Sequence, residues 1–311
     1  MKLKPKQISS ILTAHDADSN DHFGTSVAIS GDGSVLAVGS TGFDHTDSYG
    51  VTDTQAGAVY IYDWNGYSWI QRGSTIHGAH TYNELYGSSV SLSYDGSVLA
   101  VGAEHWDDFV NQKNNTGIVR VYDRNSYGWS QRGSHISGSS TNQYLGSGIT
   151  LSADGNTIII GSRGKRRQYP FMGAWHEGVG EVETYNWESN SWTLKNEFYA
   201  GNDTADLVDY NYFGSSVSLS SDGLVLAVGA YAYDTVEGGT NNYGAVYIYD
   251  KSGDWGWSKR GSVLTPNPPQ ADQYFGLGVS LSSDGSVLVV SSAHFDVVDD
   301  SGNTISNQGV V

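Results

Sequence analysis

Five equivalent positions in the chain combine residue types that could bind a ligand. Four residues after a recurrent Val-Gly pair stand Phe43-Asp44, Trp106-Asp107, Tyr233-Asp234 and Phe295-Asp296, and the fifth equivalent place holds Lys165-Arg166, followed by Arg167. An aromatic ring beside a carboxylate can stack on a sugar face and accept its hydroxyl hydrogen bonds. The same pair can also be a loop anchor, with the ring tucked down and the carboxylate bonding its own backbone. The three adjacent cations either pair with neighbouring acids or receive a carboxylate or sulfate from a partner. A second candidate is His15-Asp16-Ala17-Asp18-Ser19-Asn20-Asp21, where Asp16, Asp18 and Asn20 offer alternating oxygens like the start of a Ca²⁺ loop. It lacks the glycine at position six and the closing Glu, so solvated loop acids are the competing reading. Asp203, Asp206 and Asp209 occupy the equivalent loop of the fourth unit.

Catalytic patterns are absent from the serine-rich segments that recur along the chain. The innermost segments TSVAIS, SSVSLS, SGITLS, SSVSLS and LGVSLS hold no ionisable residue, and the nine His show neither H-x-H nor H-E-x-x-H spacing. Sugar cleavage needs an acid and a base facing one bond. An enzyme reading, as a glycoside hydrolase or lyase, would therefore draw on Asp44, Asp107, Asp234 and Asp296 from the loops. No cysteine is present, which removes disulfides, thiol nucleophiles and Cys-ligated zinc.

The elements that position these residues are repeats. HFGTSVAISGDGSVLAVGS, LYGSSVSLSYDGSVLAVGA, YLGSGITLSADGNTIIIGS, YFGSSVSLSSDGLVLAVGA and YFGLGVSLSSDGSVLVVSS align on Gly24, Gly87, Gly146, Gly214 and Gly276, in steps of 63, 59, 68 and 62 residues. Units thus begin near residues 23, 86, 145, 213 and 275 of a single domain spanning 1–311. Within each, a strand runs into Asp-Gly and a second strand follows at once, a hairpin signal whose two turn residues are expected at positive φ. GAVYIYD, GIVRVYD, GEVETYN and GAVYIYD mark a third strand, and Trp69, Trp129, Trp192 and Trp257 a fourth. Nothing carries a helical period.

Four antiparallel strands per unit predict an all-β fold, a β-propeller of about five four-stranded blades. The N-terminal stretch Gln7–Leu12 is expected to pair beside the third strand of the last blade and clasp the ring shut. Alternatively, the chain is a fragment of a larger propeller. The outer-strand tryptophans, with Arg72, Arg132 and Arg260, are expected to pack against the neighbouring blade, with cation–π contact.

The F-G-x-S-V, D-G-S-V-L-A-V-G-A and G-A-V-Y-I-Y motifs resemble the FG-GAP repeats of the integrin α-subunit propeller and related surface proteins, over all five units. The resemblance implies an extracellular or surface module for binding or adhesion, often assisted by Ca²⁺. That family's propeller usually has seven blades, and its D-x-D-x-D-G hairpin loop is here a bare D-G turn. The expected function is a non-enzymatic module whose loop face contacts a glycan or protein partner; a purely structural repeat of a larger assembly is a third reading. With 16 basic and 33 acidic residues the net charge is −17, which opposes nucleic acid and anionic membrane. No apolar run of about 18 residues marks a membrane span.

Overall fold

The computed structural model describes residues 11–16, 18–78, 83–168, 175–200, 210–234, 241–254, 256–298 and 304–311. No helix forms among them. Unit 1 is a sheet of Phe23–Ile29, Val35–Ser40, Ala58–Trp64 and Trp69–Gln71 in that spatial order. Unit 2 repeats it with Ser89–Leu92, Val98–Ala103, Ile118–Asn125 and Gly128–Gln131. Unit 3 comprises Leu145–Leu151, Thr157–Ser162, Glu181–Glu188 and Ser191–Phe198. Unit 4 comprises Phe213–Leu219, Val225–Ala230, Ala245–Ser252 and Gly256–Lys259. Unit 5 has Phe275–Leu281 and Leu288–Ser292, and Val310 bridges antiparallel to Ser292 where a third strand begins.

The sheets are propeller blades, and those of units 2, 3 and 4 are buried on both faces, which is why their second strands read VLAVG or TIIIG rather than alternating with polar residues. Val59 and Ile61 of unit 1 pack with Val90, Leu99 and Val101 of unit 2, and the later joints repeat this arrangement. The joints have a common backbone recipe. The glycine before each third strand bridges in parallel to the residue before the next unit's marker glycine: Gly57 to Tyr86, Gly117 to Leu145, Gly180 to Phe213 and Gly244 to Phe275. These glycines take φ between +75° and +83°, and a Cβ on Gly180 would lie 2.0 Å from the Phe213 carbonyl oxygen. Only glycine allows that approach.

The tight turns differ from the two-residue expectation. Gly33 has φ +72°, but Asp32 does not adopt a positive φ. The Asp32 carboxylate instead accepts from Ser30 Oγ at 2.6 Å and from the Ser34 amide at 2.9 Å, while the Val35 amide donates to Ser30 Oγ. A Ser-x-Asp-Gly loop with these side-chain bonds recurs in all five units. The bonds favour the carboxylate form. Asp284 is accordingly held down to about 2, chiefly by the Ser282 hydroxyl.

The clasp expected from Gln7–Leu12 is not formed among the described residues, and residues 7–10 lie outside them. Leu12 and Ala14 pack on Tyr60 and Tyr62 of unit 1, while the third strand of unit 5 offers only the Val310 pairing. The blades form an open row in which unit 1 and unit 5 each expose one apolar face.

Candidate functional site

A line of rings runs across the loop end of the two inner strands from unit 2 to unit 5. His105 lies 5.4 Å from Tyr144, and the Arg163 guanidinium sits over Tyr144 at 4.2 Å and over Tyr212 at 5.9 Å. Tyr212 stacks on Tyr231 at 5.2 Å and 24°; Tyr231 meets Tyr274 at 5.8 Å, and Tyr274 meets His294 at 4.9 Å. Two recurrent places in the repeat supply most of the line. Tyr144, Tyr212 and Tyr274 precede the marker pair, where the backbone takes φ of +53° to +55°; Arg163 and Tyr231 follow the second strand. Burial opposes the charge on Arg163, but the Glu104 carboxylate, 2.9 Å away, outweighs it and holds the guanidinium above its ordinary value. Burial also pushes the Tyr212 and Tyr231 phenols up, so both remain neutral hydrogen-bonding groups.

Between units 3 and 4 this line borders a cleft walled by Tyr144, Tyr210 and Tyr212, with Asn142, Arg166 and Glu177 around it. Arg166 is held by the ring of Trp175 at 4.9 Å and faces Glu177 at 4.0 Å. Rings, one amide, one cation and one anion thus converge on a single open groove. A second cavity lies between the same units toward the hairpin turns, lined by Ile159, Thr184, Leu219 and Trp257. It arises where Thr184 stands in the register of Ile61 and Ile248, and Trp257 Nε1 donates to Thr184 Oγ1 at 3.2 Å. Its rim is polar, with Asp154, Asp222, Lys251 and Asp254 at the turn end.

Residues 9–62 and 202–249 match the family model described as FG-GAP repeat. The chain carries FG-GAP repeats. Such repeats occur in extracellular and adhesion-type proteins, and no curated protein matches the chain. The matched segments centre on units 1 and 4, the two FG-GAP units whose third strand reads GAVYIYD.

The loops after the second strands give every aromatic-aspartate pair an internal use. Asp44 accepts from the Gln55 amide at 2.8 Å, Asp107 from Asn115 at 2.7 Å, Asp234 from Asn241 at 2.8 Å and Asp296 from Asn307 at 2.8 Å. Each carboxylate ties the start of its loop to the end, so the next strand begins in register. Phe43 packs edge-on to Tyr60 at 6.4 Å, Tyr233 to Tyr247 at 6.4 Å, and Trp106 is half-buried against the core shared by units 1 and 2. Phe295 is likewise half-buried. This is anchor geometry.

In the fifth such place, Lys165 Nζ approaches Glu181 at 3.5 Å, and Arg167 pairs with the same buried carboxylate; Arg166 alone reaches the cleft. Asp16 accepts from Tyr60 OH at 2.8 Å, and the Asp18 amide donates to Asp21 Oδ2 at 2.7 Å. Asn20, exposed, takes φ +72°. Among the described residues no three His, Cys, Asp or Glu come together to hold a metal. Asp203, Asp206 and Asp209 lie outside those residues.

Of the three outer-strand arginines, Arg132 of unit 2 lies over Trp187 at 4.8 Å and Trp192 at 5.6 Å of unit 3, whereas Arg72 pairs with Asp63 and Arg260 with Asp250 of their own units, because those carboxylates stand beside them on the adjacent strand. Sequence reasoning missed the tyrosine line because it followed the four-times-repeated pair. A usable signal was present: the residue before the marker varies as His22, Leu85, Tyr144, Tyr212 and Tyr274, and variation inside a constant frame is where a repeat scaffold can place function.

Proposed function

We propose that this chain is a non-enzymatic binding module, acting at a cell surface or outside the cell, that takes a glycan in the tyrosine cleft between units 3 and 4. The observation that carries the reading is the convergence of Tyr144, Tyr210 and Tyr212 with Asn142, Arg166 and Glu177 on one groove. Sugar C–H faces stack on rings, while hydroxyls pair with amide, carboxylate and guanidinium groups. The two arginines stand close to acids, Arg163 to Glu104 and Arg166 to Glu177, so the groove is locally near neutral. An uncharged or mixed-charge oligosaccharide fits that balance, whereas nucleic acid meets a net charge of −17. The binding reading is further supported by loop carboxylates that are engaged as anchors rather than facing one another across a bond.

Glycan-array screening followed by titration calorimetry tests this. Tyr210→Ala, at an exposed ring, should weaken the selected glycan about 10- to 100-fold, the range for loss of one stacking platform, with the melting temperature unchanged. Tyr67→Ala, at a more exposed ring in unit 1, should have no effect. Equal effects of the two variants, or an array without a hit, would reject the glycan reading; a protein that competes at Tyr210 would transfer the site to a peptide ligand.

A further inference from the structure

Three of the four joints close at the hairpin end, and the joint between units 3 and 4 does not. A Cβ on the turn glycine would lie 2.4 Å from Val35 at Gly96, 2.6 Å from Val98 at Gly155 and 2.7 Å from Val225 at Gly285. At Gly223 it would meet no described atom within 4 Å. The same three joints carry a backbone bond between hairpins: the Asp32 amide donates to the Tyr94 carbonyl at 3.2 Å, Tyr94 to Ala153 at 2.9 Å and Ser221 to Ser283 at 2.9 Å. Among the described residues no such bond links Ala153 to Ser221. Threonines stand here where the other joints have hydrocarbon, Thr157 in the place of Val35, Val98 and Val225, and Thr184 in that of Ile61, Val121 and Ile248. The gap is a cavity of about 320 Å³ whose inner wall includes Ile159, Thr184 and Leu219.

The preceding joint shows what this space can hold. Between units 2 and 3 the Arg132 guanidinium lies over Trp192 at 5.6 Å and donates to the Gly155 carbonyl at 3.0 Å and to Asn156 Oδ1 at 2.6 Å. Trp257 and Gly223 are the equivalents of Trp192 and Gly155 one unit on, and both line the cavity. The residue of unit 3 in the place of Arg132 is Lys195, whose ammonium is drawn to Glu188 of its own unit at 2.7 Å. The side chain that would cover this tryptophan is thus directed elsewhere. Thr184 Oγ1 accepts from Trp257 Nε1 at 3.2 Å, which fixes the indole in the wall. On the rim, Asp154, Asp222 and Asp254 stand against Lys251. The Ser220 hydroxyl holds the Asp222 carboxyl below its ordinary value, so the balance of the rim is negative.

We propose that this cavity binds a small organic cation, an alkyl- or arylalkylguanidinium. Its head takes the place over Trp257 that Arg132 takes over Trp192, with the Gly223 carbonyl as acceptor, and its body lies on Ile159 and Leu219. An indole face attracts cations, and a planar guanidinium stacks on it better than a compact ammonium does. The site opens at the turn end of the joint, whereas the tyrosine cleft opens at the loop end, so the two are separate.

Titration calorimetry of the purified chain with phenethylguanidinium tests this, with phenethylurea as the neutral isostere. The guanidinium should bind at least about tenfold more tightly than the urea, the order expected of a cation–π contact in a partly desolvated site, and added salt should narrow that gap. Thr184→Ile fills the inner wall with the residue that units 1 and 4 already carry in this register. It should abolish the binding heat without lowering the melting temperature. Thr157→Val, the residue of the other three joints, should weaken binding by the same closure, and decides the matter should Thr184→Ile fail to fold. No heat from the parent at millimolar guanidinium would overturn the proposal. So would a urea bound as tightly as the guanidinium, or full affinity retained by folded Thr184→Ile.

Discussion

Units 1 and 4 fill the space beneath the marker pair with rings, and units 2 and 3 fill it with charge. In unit 1, Tyr60 meets Phe23 at 5.4 Å; in unit 4, Tyr247 meets Phe213 at 5.3 Å. The same register holds Arg120 in unit 2, paired with Glu84 at 2.9 Å and lying over Tyr86 at 5.3 Å. In unit 3 it holds Glu183, which accepts from Tyr185 OH at 2.8 Å and from Gln143 Nε2 at 3.3 Å. The residue two places before each marker aromatic or leucine is a buried polar group in all five units: Asp21, Glu84, Gln143, Asn211 and Gln273. In units 2 and 3 its identity follows its partner, a carboxylate facing Arg120 and an amide facing Glu183. One backbone therefore tolerates two interiors, but they respond differently to the loss of one member. Rings lose contacts, whereas an ionic interior loses its neutrality.

The comparison breaks hardest at unit 2. Glu84→Ala leaves Arg120 buried without its carboxylate and should cost about 3–5 kcal/mol in urea unfolding. A cost below about 1 kcal/mol would mean that unit 2 does not depend on the pair.

The comparison sharpens at unit 3 through pH. Burial pushes the Glu183 carboxyl up and the Lys165 ammonium down, the second against the pull of nearby acids. A folded value raised above the unfolded 4.5 means that stability from this group is full below pH 4.5 and declines as pH rises through the folded value. Glu183→Gln keeps hydrogen-bonding capacity without the ionisation. Its melting temperature should exceed that of the parent by a margin that grows from pH 4.5 toward pH 8; a constant margin would show that Glu183 does not titrate differently on folding.

The smallest effect belongs to unit 1. Tyr60→Phe removes the bond to Asp16 but leaves the ring cluster, and should cost about 0.5–1.5 kcal/mol. A loss as large as that of Glu84→Ala would erase the distinction between the two kinds of interior.

Much of the fold was legible because its periodic features are local. The marker glycines, the Asp-Gly loops and the GAVYIYD strands announce themselves every 60 residues or so, and the sheets form where those motifs fall. The turn conformation was not legible, since the Asp-Gly dipeptide does not reveal that Ser30 and Ser34 capture the Asp32 carboxylate and change its backbone. The closure expected from Gln7–Leu12 is not formed among the described residues, and residues 7–10 lie outside them. At the site, Phe43-Asp44 and its equivalents stood out by repetition, and repetition marks scaffold. Tyr144, Arg163 and Tyr212 come from different units, and only the docking of units 2, 3 and 4 makes them neighbours.

Each joint fastens one unit to the next through a backbone contact between residues some 30 apart, such as Gly57 with Tyr86 or Gly244 with Phe275. Among the described residues, no strand pairing joins the first unit to the last. During synthesis a unit can therefore dock as soon as it clears the ribosome, without waiting for a distant partner. The tyrosine cleft, built from units 3 and 4, is complete before unit 5 emerges.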